Sequence, residues 1–581
     1  MMYVIVGQRG TGKSHLARRF APGPVIDLDE EIRVRTGRDP RAWIETDGER
    51  AFREIEKKTL RELMTATYAT PPWIVLGAGF ELDDFDWSVA PFEMIHWRRT
   101  TDAWGRIFTD RPRLNTNVDP LTEYLERYAD REARFRQSAD WILEWPEGGH
   151  LNANSQARAM LAGESLPSHA GIYTLRASDR ERARTILERF VNFGFQAFEL
   201  RTDLLSDADL EFWLSRLPAE KILFAERRAE AKVPSANFFG KDWALEWGKP
   251  PPGYSIWSNH GGNESTFPVH AVDVHLKWSP LIESFRELQR GYQWQQKDPA
   301  HRSFLPRSLD GRWTWFRLWM KSRQKLNFLR EADNAEAPDQ PSFLEFIDTP
   351  TGVNFAAILG DPVAHSWTPG VQAAFFAERG MPVLRVQVAQ DEWDDAIEVL
   401  RHMGLTAAAV TSPLKLNAFA TAKVRTPEAQ RFESVNTLQW TEDGWHGHNT
   451  DETGLRESLQ AEGLLNAPLV RIYGGGGTLA MLATLFPQAA RYGLRTQGLR
   501  SDSPPETGGG TGGLFIWAAG PQDEPPRFEV APEIVLDLNY RQDSNARAFA
   551  LAKGARYIDG SGMFLAQAEG QRQFWSAYGR E

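Results

Sequence analysis

The chain has 581 residues, 41% hydrophobic and 25% charged, which is enough apolar surface for folded domains, and at roughly 150 residues per domain several separate cores are expected. A net charge of −11 argues against an anionic polymer or a membrane surface as the main partner, and the absence of cysteine excludes disulfides, thiolate metal sites and cysteine nucleophiles. Because no apolar run approaches the length of about 18 residues that a membrane helix needs, we expect a cytoplasmic protein that binds neither membrane nor nucleic acid.

Two stretches that break the helical pattern divide the chain, one around residues 147–168 and one around 332–354. The three segments they leave alternate short β-branched or apolar runs with amphipathic stretches, which is typical of α/β architecture with parallel strands. The predicted units are residues 1–150, residues 168–350, and residues 354–581 with a substrate lobe at 354–460 and a nucleotide lobe at 461–560.

The first unit opens with a phosphate-binding signature. A short apolar run is followed by residues 7–14, which fit the pattern G-x-x-x-x-G-K-[ST], and then by the start of a helix. In this context the backbone N–H groups point at phosphates, Lys13 adds a positive charge, and the Ser14 hydroxyl can ligate Mg²⁺. The sequence therefore predicts a P-loop made of Gly7, Gly10, Gly12, Lys13 and Ser14.

The residues after this loop resemble shikimate kinase across the whole unit, beginning with the pair Asp27 and Asp29 after the second strand. The resemblance implies a parallel-sheet kinase in which Asp29 accepts from the substrate hydroxyls and Asp27 helps to hold Mg²⁺. Lys13 and Asp29 would be its catalytic residues. The further implied contacts are Arg53 and Arg131 on the substrate carboxylate, Gly77 and Gly79 at the end of a strand beside the substrate, and Arg111 over the ATP phosphates.

The second unit contains several strand-like runs, most of which end in a polar residue. A (β/α)₈ barrel presents such residues at the carboxyl ends of its strands. The unit resembles type I 3-dehydroquinate dehydratase, although at roughly 180 residues it is small for a barrel, so some helices should be shortened. The residues that carry the resemblance are, in family order, Glu199, Arg201, Arg227, His260, Lys277, Arg317 and Gln340.

This resemblance implies elimination of water through a Schiff base. Lys277 would attack the substrate ketone as a neutral amine, favoured by an apolar wall or a neighbouring cation, and His260 would move the proton. Glu336 stands where the family usually has a substrate-binding serine. The implied dehydroquinate contacts are Glu199 and Arg201 on the hydroxyls, Arg317 and Gln340 on the carboxylate and ring oxygens, and Arg227.

The third unit resembles shikimate dehydrogenase. The hydroxyls of Ser366 and Thr368, two positions apart, suit a carboxylate. Lys415 and Asp451 are the implied proton-transfer pair, because a nearby carboxylate keeps the ammonium charged. The other implied substrate contacts are Thr411, Asn436, Tyr540 and Gln567.

A glycine-rich turn after a strand, residues 472–479, fits the family's form of the Rossmann-type nucleotide turn and predicts NADPH binding. The implied contacts are Gly474, Gly476 and Gly477 in the turn, Met563 near the nicotinamide, and Arg495, with Arg500 as the rival, on the 2′-phosphate.

Taken in order, the three resemblances match the C-terminal arrangement of the pentafunctional arom polypeptide. They imply a trifunctional enzyme that converts dehydroquinate to dehydroshikimate, then to shikimate, then to its 3-phosphate, with NADPH, ATP and Mg²⁺. Two alternatives remain: a non-catalytic regulator that senses quinate or shikimate with the same three units, and a fusion with one inactive domain. A homo-oligomer is compatible with the sequence.

Overall fold

The computed structural model describes most of the chain, and three predicted site residues, Arg111, Gly476 and Gly477, lie outside the described part. The structure describes every residue except 111–112, 114, 147–168, 191–192, 228–235, 245, 247–249, 251, 262–273, 332–334, 476–477, 496, 501–502, 504–512, 527–530 and 579–581. The side chains of residues 189–190 are also excluded.

The first sheet has five parallel strands in the order β2-β3-β1-β4-β5. Its central strand β1 is buried along its whole length, because a parallel strand with a neighbour on each side is covered on both faces. The carboxyl ends of β1, β2 and β3 lie together at one edge of the sheet. The strands are β1 (Met2–Val6), β2 (Val25–Asp27), β3 (Trp73–Val75), β4 (Phe92–Arg99) and β5 (Trp141–Trp145). The helices are α1 (Lys13–Phe20), α2 (Leu28–Thr36), α3 (Pro40–Asp47), α4 (Glu49–Thr65) and α5 (Pro120–Ser138).

The second sheet has eight parallel strands that follow one another in chain order, with β13 returning beside β6. Parallel neighbours in chain order place the carboxyl ends of all these strands on one side. The strands are β6 (Gly171–Thr174), β7 (Ala197–Arg201), β8 (Ile222–Ala225), β9 (Gly240–Ala244), β10 (Ile256–Asn259), β11 (His275–Trp278), β12 (Arg302–Phe304) and β13 (Asn327–Leu329). The helices are α6 (Ala183–Thr185), α7 (Asp207–Leu214), α8 (Phe285–Gln296), α9 (Thr314–Met320) and α10 (Phe343–Asp348).

The seam between β12 and β13 is bridged by side chains. The backbone N–H of Leu326 donates to Ser303 Oγ at 3.1 Å, and that of Phe304 donates to Gln324 Oε1 at 3.0 Å. The ladders among the described residues include no direct β12–β13 pair. The closed barrel therefore stays a prediction.

The remaining chain forms two sheets. The third is mixed, in the order β15-β14-β16-β18-β19-β17, and the fourth is wholly parallel, in the order β21-β20-β22-β23-β24. The strands are β14 (Phe355–Gly360), β15 (Val383–Gln387), β16 (Leu405–Val410), β17 (Val424–Arg425), β18 (Thr437–Thr441), β19 (Gly444–His448), β20 (Val470–Gly474), β21 (Ala490–Tyr492), β22 (Leu514–Ala518), β23 (Ile534–Asp537) and β24 (Arg556–Ile558). The helices are α11 (Thr368–Ala377), α12 (Trp393–Met403), α13 (Lys415–Thr421), α14 (Pro427–Phe432), α15 (Asp451–Ala461), α16 (Leu479–Leu485), α17 (Asn545–Lys553) and α18 (Ser561–Ser576).

The sheets are joined by buried contacts. Arg330, just after β13, pairs with Glu144 of β5 at 2.6 Å. Between the second and third sheets, the rings of Trp315 and Phe355 stack with centroids 6.0 Å apart. These contacts join the first sheet to the second and the second to the third.

The predicted α/β class with parallel strands is confirmed, whereas the predicted domain boundaries stay a prediction. In the part of the chain that the structure describes, no helix combines the length and apolar character needed to cross a membrane.

Candidate active sites

The P-loop follows β1 and ends at the first turn of α1. Gly12 caps that helix with a φ of +83°, a left-handed conformation that glycine adopts without strain. A Cβ on Gly7 would lie 2.1 Å from the carbonyl oxygen of Trp97, so only glycine permits the close approach to β4. The resulting cradle of backbone N–H groups at a helix start fits the phosphates of ATP.

Lys13 lies inside this cradle. Its amino group donates to the carbonyl oxygens of Gly7 at 2.9 Å and Gln8 at 3.0 Å. Burial lowers the pKa of Lys13 to about 8, and nearby carboxylates, Asp29 first, partly offset this effect. Asp102 also acts on Lys13, and sequence reasoning missed it because no motif marks it.

Ser14 and Asp27 lie together, as a magnesium site at the P-loop requires. The Ser14 hydroxyl donates to Asp27 Oδ2 at 2.5 Å. Among the described residues no three His, Cys, Asp or Glu side chains are grouped to hold a metal ion by themselves. The pair fits Mg²⁺ if nucleotide phosphates and water complete the shell, which is the usual mode for this ion.

The predicted substrate residues of the first unit converge beside the P-loop. A Cβ on Gly77 would lie 3.1 Å from Asp29 Oδ1, and one on Gly79 would lie 2.6 Å from a terminal nitrogen of Arg53. Arg53 donates to Glu56 at 2.6 Å, and burial raises the pKa of Glu56 to about 7 despite that bond.

Arg131 contributes a second cation to this pocket. Burial, followed by the charges of Arg127, Arg53 and Arg9, lowers the pKa of Arg131 to about 10. Neighbouring cations repel one another in the free protein, and an anionic ligand relieves that repulsion. A guanidinium also binds a carboxylate through two parallel hydrogen bonds.

In the second sheet, Lys277 lies on β11 with its amino group among acidic and aromatic neighbours. Its Nζ lies 3.0 Å from Asp242 Oδ2, 3.9 Å from Glu199 Oε1 and 4.5 Å from the ring centroid of Phe328. Among the described residues the Phe328 ring supplies an apolar contact to this amine, and Asp242 pairs with both Lys277 and Arg227.

Asp242, on β9, is the residue that sequence reasoning missed here. It is fully buried and also accepts from Arg227 at 2.8 Å and from the Ser258 hydroxyl. Burial opposes its charge, but Lys277 and Arg227 hold the pKa of Asp242 well below its usual range. An aspartate inside a strand run was the available signal.

His260 follows β10 directly, next to the strand that carries Lys277. Burial, and then the charges of Lys277 and Arg227, lowers the pKa of His260 to about 3. Its Nε2 is buried without a hydrogen-bond partner among the described residues. A neutral imidazole with an unused nitrogen is suited to accept a proton from a ligand.

The other predicted residues of this unit already have partners within the protein. Glu336 pairs with Arg201 at 2.7 Å and with Arg176 at 2.5 Å, and its backbone N–H donates to Gln340 Oε1 at 2.9 Å. Arg317 is buried and donates to the carbonyl oxygen of Pro306 at 2.9 Å. Glu336 thus forms ion pairs with two arginines at this end of the sheet.

In the C-terminal part, Lys415 and Asp451 form a direct ion pair. Lys415 begins α13 and Asp451 begins α15, and Nζ lies 2.6 Å from Oδ2. The other carboxylate oxygen, Oδ1, accepts from Asn436 at 2.9 Å and from Gln567 at 2.6 Å. A Cβ on Gly454 would lie 2.5 Å from Cγ of Gln567, so glycine lets α18 bring Gln567 to this site.

Ser366 and Thr368 are buried and their hydroxyls lie 3.2 Å apart. Thr368 begins α11, so its surroundings favour an anion. Tyr540 packs on Trp367, between the two hydroxyl residues, with ring centroids 4.8 Å apart. Thr411 follows β16, and a Cβ on Gly360 at the end of β14 would lie 2.3 Å from its methyl carbon.

The nucleotide turn follows β20. Gly474 has a φ of +79°, and a Cβ there would lie 3.0 Å from Cα of Ala519, so the turn needs glycine and leaves a cradle that fits a dinucleotide phosphate. Met563 is buried in the apolar core of this lobe. Arg495 is exposed, three residues beyond the end of β21, while the backbone N–H of Arg500 donates to Arg491 at 2.8 Å.

Comparison with known proteins gives two family matches. Residues 9–147 match the shikimate kinase family, and residues 358–438 match the shikimate dehydrogenase substrate binding domain.

Curated relatives extend the second match. A shikimate dehydrogenase (NADP(+)) from Cupriavidus necator is 30% identical over 257 residues, covering 38% of this chain and 87% of the relative. One from Anaeromyxobacter sp. (strain K) is 29% identical over 251 residues, covering 38% and 89%. A solved shikimate dehydrogenase from Aquifex aeolicus is 19% identical and covers 39% of this chain and 93% of its own, with a TM-score of 0.32, which by itself establishes no relationship. ATP with Mg²⁺ and NADP(H) serve these two families, so the predicted cofactors ATP, Mg²⁺ and NADPH are confirmed.

Proposed function

This chain joins a shikimate kinase domain to a C-terminal part that belongs to the shikimate dehydrogenase family, and we propose that it catalyses three consecutive steps of the shikimate pathway. Dehydroquinate would lose water to give dehydroshikimate, which would be reduced to shikimate and then phosphorylated on its 3-hydroxyl. The observation that carries the reduction step of this proposal is the 2.6 Å pair of Lys415 and Asp451, held by Asn436 and Gln567.

In the reduction step, bound NADPH supplies a hydride. Lys415 would donate a proton to the carbonyl oxygen as negative charge develops there, and Asp451 would keep the ammonium charged and aimed. Ser366 and Thr368 would bind the substrate carboxylate, and Tyr540 would pack beside it. Asn436 and Gln567, which fix Asp451, would also contact ring hydroxyls.

In the phosphorylation step, bound ATP with Mg²⁺ supplies the phosphoryl group. Asp29, beside Gly77, would accept from the attacking hydroxyl, while Arg53 and Arg131 hold the carboxylate. Lys13 would neutralise charge on the phosphates. Phosphoryl transfer depends mainly on such positioning and neutralisation.

The dehydration step is supported by the grouping of Lys277, His260 and Asp242. The amine of Lys277 would add to the ketone and expel water to form an iminium, after passing its extra proton to solvent. His260 would remove the adjacent C–H proton and return it to the departing hydroxyl, which leaves as water. Hydrolysis of the iminium would then release dehydroshikimate and restore Lys277.

The regulator alternative receives no support from the comparisons, since the matched families are those of enzymes. A fusion with one inactive domain remains a second candidate, because Glu336 occupies Arg201 and Arg176 at the dehydratase-like site.

Borohydride trapping separates these candidates. Incubating the full chain with dehydroquinate and borohydride should leave a reduced adduct on Lys277, located by mass spectrometry of the peptides. Lys321→Met is the matched control and should leave the adduct on Lys277 unchanged. Lys321 is a half-buried lysine of the same unit that bonds to backbone carbonyls. If Lys277 stays unmodified in a sample that still reduces dehydroshikimate, the result would favour the alternative in which the dehydratase-like domain is inactive.

A further inference from the structure

A segment of the kinase domain reaches the mouth of the dehydrogenase cleft. The 3₁₀ helix Asp102–Trp104 follows β4, and Trp104 at its end packs edge-on against His365, with ring centroids 6.4 Å apart. The guanidinium of Arg541 lies 5.0 Å from the Trp104 ring centroid. His365 belongs to the substrate lobe and Arg541 follows the fourth sheet's strand β23, so one indole contacts both lobes.

Hydrogen bonds at Ile107, three residues beyond Trp104, fix the same part of the chain to the nucleotide lobe. The N–H of Ile107 donates to the carbonyl oxygen of Gln542 at 2.8 Å, and its own carbonyl accepts from Arg547 at 3.2 Å. Arg541 is in turn held by Asp543 at 2.6 Å. The contact is therefore built from several directed interactions and not from one ring alone.

A pocket opens at this contact, lined by Trp104 and Gly105 on one side and by His365, Trp367 and Tyr540 on the other. His365 and Trp367 flank Ser366, the predicted carboxylate residue. Tyr540 packs on Trp367 at 4.8 Å and lies 6.1 Å from His365, so a continuous set of rings runs from Trp104 to the predicted substrate position.

We propose that Trp104 is a positioning residue for the dehydrogenase reaction: by bridging His365 and Arg541 it holds the two lobes at the separation at which Tyr540, Ser366 and Thr368 bind substrate. The inference rests on the proposed dehydrogenase function. It means that the reductase of this chain uses a wall supplied by the kinase domain. Holding lobes close favours binding more than the chemical step, because it removes an ordering cost from association.

The test is steady-state kinetics of the full chain carrying Trp104→Ala. The KM for dehydroshikimate should rise about fivefold or more, as expected from losing one aromatic pair and one cation–π contact, while kcat changes less than twofold. Trp104→Phe should restore most of the affinity. The matched control is Trp43→Ala, which removes another partly buried indole of the same domain that stacks on Arg38 at 4.1 Å. Its dehydrogenase KM should stay unchanged.

Three outcomes are distinguishable. An unchanged KM in Trp104→Ala, with an active parent, overturns the inference and leaves the dehydrogenase function standing. A parent without dehydrogenase activity overturns the proposed function itself. If Trp104→Ala fails to fold, Arg541→Ala removes the other half of the contact, and an unchanged KM in that variant overturns the inference equally.

Discussion

The amino group of Lys415 lies 2.6 Å from the carboxylate of Asp451, although 36 positions separate the two residues along the chain. Each residue stands at the start of a helix, Lys415 in α13 and Asp451 in α15. Asn436 and Gln567 occupy the second carboxylate oxygen, so Asp451 has one oxygen committed to orientation and one to the ammonium.

Lys415→Met should lower the dehydrogenase kcat by about a hundredfold or more, because general acid catalysis contributes on that order. Kinase activity of the same sample should stay within twofold. Lys423→Met, at an exposed position of the same lobe, is the control and should leave both activities intact. A Lys415→Met variant with more than a tenth of parental kcat would remove this lysine from the mechanism.

Arg53→Gln should raise the kinase KM for shikimate about tenfold or more, since hydrogen bonds to charged groups contribute about 1.5–3 kcal/mol, while the KM for ATP stays unchanged. Arg50→Gln, on an exposed face of the same helix, should alter neither. Equal losses for both substrates in Arg53→Gln would point to a structural effect instead.

His260 should remain neutral between pH 5 and pH 8, because its pKa is lowered to about 3. The folded protein then binds fewer protons than the unfolded chain below the ordinary histidine pKa of about 6.5. The contribution of the neutral His260 to the free energy of unfolding is therefore present above about pH 6.5 and is lost as the pH falls below that value. An NMR titration of the His260 ring measures the protonation directly, and a midpoint near 6.5 would contradict the burial argument.

Glu336→Ser should release Arg176 and one terminal nitrogen of Arg201 for an anionic ligand, while Asp203 still pairs with the rest of the Arg201 guanidinium at 2.6 Å. We expect the KM for dehydroquinate to fall, or dehydratase turnover to appear where the parent shows none. Glu188→Ser, which removes an exposed partner of Arg184 in the same unit, is the control. A rise in KM would mean that Glu336 itself contributes to the site.

Arg495→Ala should reduce the preference for NADPH over NADH, since a guanidinium near the adenosine ribose recognises the 2′-phosphate. The measurement is the ratio of kcat/KM values for the two cofactors. An unchanged ratio, together with a reduced ratio in Arg500→Ala, would assign recognition to Arg500.

The parts of the sites that could be predicted are those encoded locally. Residues 7–14 carry the P-loop in consecutive positions, and the placement of Lys13 and Ser14 follows from the turn and the helix that begins there. Lys415 and Asp451 were predicted from the resemblance to shikimate dehydrogenase. Their contact depends on the third sheet, which no local sequence pattern specifies.

Other features depend on register and on packing between units. Asp242 meets Lys277 only because β9, β10 and β11 pair in a particular register, with Ser258 between them. Trp104 meets His365 only because two units dock. Neither contact produces a characteristic residue spacing by which it could be predicted from the sequence.

The most direct test of the central claim is product analysis of one purified full-length sample. With dehydroquinate, NADPH, ATP and Mg²⁺ present together, we expect shikimate 3-phosphate to form with one NADP⁺ and one ADP per molecule. With dehydroquinate alone, we expect dehydroshikimate. Dehydroquinate that stays intact while added dehydroshikimate and shikimate are consumed would contradict the account and leave a kinase and a dehydrogenase only.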